Sequence, residues 1–360
     1  MWHVFAPSSA PSYPLSWRQA WEEAAIGEGG FYRRADCRPA DHFRTSAHIG
    51  GAFAAAIFDR LRAVDHRLGH PPTLTMVDVG AGSGELLNAL TGLLRDSEPA
   101  LAARVQLIGV DVRNRPRGLG REIDWISGLA PCAVPANITG MIIATELLDD
   151  VAIEIAEVSD SSDSSHGEWR YLHVDDSGST FTGDLLTAPD LEWAESFAGL
   201  THTTPLQPGL RIEIGRPRDT LAADLASRLT SGDLLVIDYV WGTPEPAATA
   251  NTSLRAFRHG HPVQPSTDGS MNITAAVNQG SLLSTLSRFG HVHVQDQSSV
   301  LAGYQNAPST AELPMMASLQ WSSQWQELTN RDGLGAHSWV SLTTTNTAQR
   351  DLDAKHEVLR

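Results

Sequence analysis

Residues Met76 to Leu87 read MVDVGAGSGELL, and the order of residue types in this stretch decides the fold. An apolar run ending at Val79 suits a buried strand, Gly80, Gly82 and Gly84 open a loop, and Glu85, Leu86 and Leu87 begin a helical pattern. A strand that passes through glycines into a helix is the first step of a parallel α/β sheet. Without Cβ atoms such a loop turns sharply and brings its backbone against a ligand, and the helix start behind it favours a negative group. A merely tight turn is the other use of the same glycines.

The alternation continues on both sides of this stretch. Helical ELLNALTGLLRD is followed by apolar VQLIGVDV and MIIATELL, a helix near DTLAADLASRL, and strands at DLLVIDYV, HVHVQ and SWVSLTT. VAIEIAEV alternates with period two and pairs with EWRYLHV as a hairpin, SDSSDSSHG being the polar turn between them. Ahead of the sheet, Ser16 and Gln19 have capping-box spacing before Trp17 and Trp21, and AHIGGAFAAAIFDRLRAV reads as an Ala-rich helix. The predicted architecture is α/β, a Rossmann-like and mostly parallel sheet with an N-terminal helical cap and a β-hairpin insertion. Residues 1–70 form the cap or lid, 71–345 the core with an insertion at about 151–205, and 346–360 a polar tail.

Charge and composition exclude several classes of function. Forty-two acidic against 26 basic residues leave a formal charge of −16, which opposes binding to phosphate backbones, so nucleic acid is not an expected partner. No apolar run reaches the roughly 20 residues of a membrane span, and the start lacks a basic segment followed by a long apolar stretch. A cytoplasmic protein is expected. Cys37 and Cys132 lie far apart, and His291 with His293 offers two rings on one strand face but no third ligand, so no metal site is predicted.

The glycine loop also discriminates among cofactors. A dinucleotide fingerprint requires a further glycine where this chain has Glu85, an acid that would face a pyrophosphate, and the Gly-Lys-Ser/Thr end of a phosphate-cradling loop is missing. S-adenosylmethionine carries a cationic sulfonium, no phosphate and a ribose diol. Asp78 before the loop, Glu85 after it and Asp111 at the end of VQLIGVDV suit that ligand, Asp111 as acceptor for the ribose hydroxyls or else as a surface turn residue. The predicted cofactor-binding residues are Asp78, Gly80, Gly82, Gly84 and Asp111.

Asp78, the glycine triplet and the acid ending the next strand resemble a class I S-adenosylmethionine-dependent methyltransferase. Further blocks, in order from about residue 28 to 342, are similar to the MidA-like family, which includes the mitochondrial complex I assembly arginine methyltransferase. These are GGFYRR, DHFRTSAHIGGAF, VDVGAGSGELL, ATELLDD, GDLLVIDYVWG, and SLRAFRHGH with MNITAAVN. The resemblance implies transfer of a methyl group to an arginine of a protein partner. The expected acceptor pocket takes Phe43 and Thr45 from the DHFRTSAHIGGAF block, and Asp238 and Tyr239 from the end of another strand at the carboxyl edge of the sheet. Tyr239 fits equally a buried residue that supports the sheet. His42, His48, Asn272 and Asn278 stand where the family pattern has acids, and Thr145 stands where it has asparagine.

A guanidinium acceptor, resonance-stabilised and protonated at every physiological pH, is a poor nucleophile and needs carboxylates to orient it and take its proton. Glu146 and Asp149 follow the apolar strand MII at the carboxyl edge of the sheet, where ligands of open α/β folds bind. They are the predicted catalytic pair, the alternative being helix N-terminal acids that favour the dipole. A second expectation is a cofactor-binding protein weakened in catalysis that serves assembly of a partner complex. A nicotinamide oxidoreductase is disfavoured by Glu85. Arg255 and Arg258 either hold a carboxylate or form a basic face.

Overall fold

The structure, a computed structural model, describes residues 14–34, 45–159, 168–175, 177–200, 207–241, 252–258, 260–306 and 315–344. Its chain divides into two compact units, one of residues 1–34, 151–217 and 243–275 and one of residues 35–150, 218–242 and 276–360. The division differs from the expected boundaries. Residues 35–70 go with the sheet, whereas residues 1–34, the hairpin and residues 243–275 go together. The polar tail 346–360, the turn 160–167 and Phe43 lie outside the described residues.

The larger unit holds a seven-stranded sheet, whose strands in chain order are β1 (Leu74–Val79), β2 (Val105–Asp111), β3 (Ile123–Ser127), β4 (Ile138–Thr145), β5 (Leu229–Asp238), β6 (Gly290–Asp296) and β7 (Ser338–Thr344). Across the sheet they run β6-β7-β5-β4-β1-β2-β3. The pairs from β5 to β3 are parallel, and β7 is antiparallel to both its neighbours. The order reverses between β1 and β4, the kind of switch point where a crevice opens beyond the carboxyl ends of the strands. Met76, Ile143, Leu235 and Ile237 are buried from the sheet, with Leu87 and Leu90 of α2 (Glu85–Ser97) and Phe53, Ile57 and Leu61 of α1 (Gly51–Arg67) packed in the same core.

The Ala-rich segment forms two helices, Ser46–Ile49 and α1, rather than one. Gly50 between them has φ +108°, a value only glycine adopts freely, and a Cβ on Gly51 would fall 2.3 Å from the Trp321 ring. The break lets Ser46 leave the helical line, with consequences for the site.

In the other unit, Glu154–Ser159 and Glu168–Val174 pair antiparallel as expected, and Arg211–Ile214 adds a strand beyond the first of them. Ser16 caps helix Trp17–Ile26 with both halves of the capping box formed. Trp17 and Trp21 are buried against Ile153, Ile155, Leu172 and Val174. Their spacing along one helical face is therefore a packing signal. No helix among the described residues is long and apolar enough to cross a membrane.

Candidate active site

The loop after β1 is built as its composition demands. Gly80, Gly82 and Gly84 have φ of +75°, +59° and +79°, and Gly84 is the residue before α2. Val110 O of β2 accepts from Gly80 N at 2.8 Å, fixing the base of the loop. Asp111 takes the next step: Oδ2 accepts from Gly82 N and Oδ1 from Arg113 N, each at 2.9 Å. Each of these oxygens keeps a second lone pair for a ligand hydroxyl. Among the described residues, a Cβ built on Gly82 meets nothing nearer than Glu85 Oε2 at 4.0 Å, so they leave the space above this backbone open.

Electrostatics around the loop are acidic. Burial, with Asp111 and then Glu85 adding repulsion, raises the Asp78 carboxyl to a pKa of about 7. Asp111 is likewise raised by burial, opposed by its two backbone donors. A cation relieves this crowding of acids and a pyrophosphate worsens it. The residues present therefore fit a sulfonium ligand with a ribose diol, on the open face at Gly82 and the remaining lone pairs of Asp111.

Beyond β4 the chain enters a tight turn. Glu146 has φ +50°, a left-handed conformation that costs a non-glycine residue about 1 kcal/mol or more, and its N–H donates to Ile237 O at 2.7 Å. Asp238, at the end of β5, accepts from Leu148 N at 2.8 Å and Asp149 N at 3.3 Å through Oδ2, and from Tyr239 N at 2.8 Å through Oδ1. Asp238 is only 1% exposed. The structure thus places it beneath the turn as a cap for main-chain donors, with its carboxyl raised by burial and by Asp149.

Glu146 and Asp149 are brought together on this turn. Burial raises Glu146 to about 8, against the bond from Ser46, and Asp149 to about 6, against the attraction of Arg218. Glu146 Oε1 accepts from Ser46 N at 2.7 Å and lies 3.7 Å from His337 Nδ1. Burial pushes the His337 imidazole down to about 4, so it stands neutral beside the acid. Buried Thr145 Oγ1, Asp149 Oδ1 and His337 Nδ1 make no hydrogen bond.

Thr45, the described member of the expected pocket ahead of Ser46, places Oγ1 at 2.5 Å from His48 Nδ1, and His48 Nε2 is 3.5 Å from Glu85 Oε1. This small chain of side chains links the segment that holds Glu146 to the first turn of α2. Ser46 is itself fixed from behind by Gln297, which also takes a bond from Trp339 Nε1 at 3.0 Å. Ser46 lies in the DHFRTSAHIGGAF block, whereas His337, Gln297 and Arg218 belong to no motif. A buried arginine following an Arg-Pro pair and a histidine ahead of a strand carry no periodic or spacing signal.

The substituted family positions are occupied structurally. Asn278 caps helix Gln279–Leu286 by accepting from Ser281 N at 2.9 Å, and Asn272 Oδ1 accepts from Tyr32 Oη at 2.8 Å. Arg258 donates to Ser270 Oγ, while Arg255 lies on the short strand Arg255–Arg258. Among the described residues no group of three or more His, Cys, Asp or Glu side chains is arranged to hold a metal ion.

The sequence model of a family of S-adenosyl-L-methionine-dependent methyltransferases matches residues 53–295, well over half of the chain. The chain belongs to this methyltransferase family. The MidA-like resemblance fits that membership. Among solved structures, the chain is similar to a COG1565 superfamily member from Burkholderia thailandensis bound to S-adenosyl-homocysteine, with 18% identity, a TM-score of 0.71, and 92% of this chain and 88% of that chain covered. A native structure of a COG1565 superfamily protein from the same organism gives 19% identity and a TM-score of 0.68 over 92% and 87% of the two chains. At these identities the likeness is one of fold. No curated protein matches the sequence. The methyltransferase therefore uses S-adenosylmethionine.

Proposed function

We propose that this methyltransferase transfers the methyl group to an arginine side chain of a protein partner in the cytoplasm, with Glu146 and Asp149 as the acceptor-orienting pair. The observation that carries the reading is the Glu146–Asp149 turn. Two half-buried carboxyls with raised pKa values share a strained turn at the carboxyl edge of the sheet, one strand away from the glycine loop.

S-adenosylmethionine supplies a methyl group already activated by its sulfonium. The chain's own task is to align a nucleophile and to manage its proton. Asp78, the backbone at Gly80, Gly82 and Gly84, and Asp111 are the proposed holders of the cofactor. A guanidinium placed against Glu146 and Asp149 reverses the effect of burial on both acids, because an opposite charge favours the ionised form. Carboxylate oxygens then fix the guanidinium plane through two-pronged hydrogen bonds, and Glu146, ionised by that contact, takes the proton that the nitrogen releases. Neutral His337 next to Glu146 adds no competing positive charge. Thr45 and Tyr239 are proposed to line the acceptor pocket, with Asp238 acting on it through the turn it caps.

A catalytically weakened binding protein was the other expectation, resting on the lost acids. The capping and buried bonds of Asn278 and Asn272 give those positions structural work. Glu146 and Asp149 remain in place, which supports the enzyme reading. To test it, tritium-labelled S-adenosylmethionine is incubated with the pure protein and a lysate of cells lacking it, and labelled proteins are hydrolysed to amino acids. Tritiated methylarginine is expected. Label in lysine, in carboxyl esters or in no protein would overturn the arginine assignment.

A further inference from the structure

Arg218 is a large, charged side chain that is 1% exposed, in the unit that carries the sheet. Burying a guanidinium costs several kcal/mol unless its donors and its charge are answered, and an apolar side chain of like volume is often as stable. Arg218 donates through Nη2 to Asp149 O at 2.7 Å and through Nη1 to Ala276 O at 3.0 Å. Its charge also acts on the carboxyls of Asp149 and Asp238. Asp238 receives the N–H groups of Leu148 and Asp149, so the turn is held by its donors from β5 and by its carbonyl from Arg218. The placement along the chain adds to this. Arg218 follows one boundary between the compact units, Asp149 shortly precedes another, and Ala276 follows a third, so one guanidinium joins three separate passages of the same unit.

We propose that Arg218 is a positioning residue for methyl transfer: by tying the Glu146–Asp149 turn to the passage at Ala276, its two-pronged guanidinium sets the geometry of the acceptor carboxylates. The inference rests on the reading of Glu146 and Asp149 given above. A planar fork reaches two carbonyls at once, whereas a lysine ammonium brings the charge without the fixed geometry.

The test compares wild type with Arg218→Lys, which keeps the charge, and with Arg218→Ala. Amide hydrogen exchange, read by mass spectrometry on a peptide spanning residues 146–150, is expected to speed up about tenfold or more in Arg218→Lys, in line with loss of a hydrogen bond to a charged group. S-adenosyl-homocysteine should bind within about twofold of wild type by calorimetry, while tritium transfer to lysate proteins at saturating cofactor falls about tenfold or more. Free guanidinium at millimolar concentration should speed transfer by Arg218→Ala and leave wild type unchanged. Unchanged exchange, or wild-type transfer by a folded Arg218→Lys, overturns the proposal. If wild type itself transfers no label, the acceptor reading fails, and exchange at residues 146–150 still decides whether Arg218 sets the turn.

Discussion

Ser46 N donates to Glu146 Oε1 at 2.7 Å, joining two sequence blocks that stand 100 residues apart. Ser46 opens the short helix Ser46–Ile49, which is separated from α1 at Gly50. The bond means that the glutamate is aimed by the main chain of a segment whose side chains, Thr45 and His48, reach toward Glu85 at the glycine loop.

Gly82→Val is expected to abolish binding of S-adenosyl-homocysteine. The residue has φ +59°, which a β-branched side chain tolerates poorly, and the new methyl groups would occupy the open space over the loop. Calorimetry checks this, and Tm reports separately whether the fold survives.

Asp111→Ala removes the acceptor for Gly82 N as well as the candidate ligand for the ribose diol. Binding of S-adenosyl-homocysteine should weaken by about 1.5–3 kcal/mol, as for hydrogen bonds to a charged group. NAD should bind more weakly than S-adenosyl-homocysteine to wild type in the same titration.

The parallel sheet, its β1 loop and the hairpin were legible in the sequence because buried strands and glycine loops leave local patterns. The period-two alternation of residues 151–158 is one such pattern, and Asp78 through Glu85 is another. β3 was not read, since as an edge strand it buries only Ile123 fully and its Asp124 and Trp125 break any apolar run. Asp238 was read as an acceptor-pocket residue, yet its carboxylate caps backbone donors of the Glu146 turn, a role fixed by long-range contact that no spacing encodes. The roles of Arg218 and His337 are set by long-range contact in the same way.

The raised carboxyl of Glu146 links stability to pH. An acid with a folded pKa of about 8 against 4.5 for the free group keeps its proton in the folded state while the unfolded chain loses it. Its stabilising contribution is therefore full below about pH 4.5 and is lost as pH rises through about 8. Glu146→Gln should melt above wild type at pH 8, with the gap narrowing as the pH is lowered to 5. A gap that widens on acidification would show that Glu146 is ionised in the folded protein.

Replacing residues 160–166 with a short Gly-containing turn should leave Tm within a few degrees and cofactor binding intact. Ser159 already pairs with Glu168 across the hairpin, and the polar tract offers no apolar face to a core. Loss of S-adenosyl-homocysteine binding at unchanged Tm would show that the tract reaches the cofactor.

The most direct measurement is the rate of labelled methyl transfer by wild type and Glu146→Gln into lysate proteins from cells lacking the chain, paired with calorimetry on both. Glu146→Gln keeps shape and volume and removes the group that aligns the acceptor and takes its proton. The account predicts transfer by wild type, a fall of about a hundredfold or more in the variant, the low end for a lost acid-base group, and nearly equal affinity for S-adenosyl-homocysteine. Equal transfer by the two proteins would contradict it.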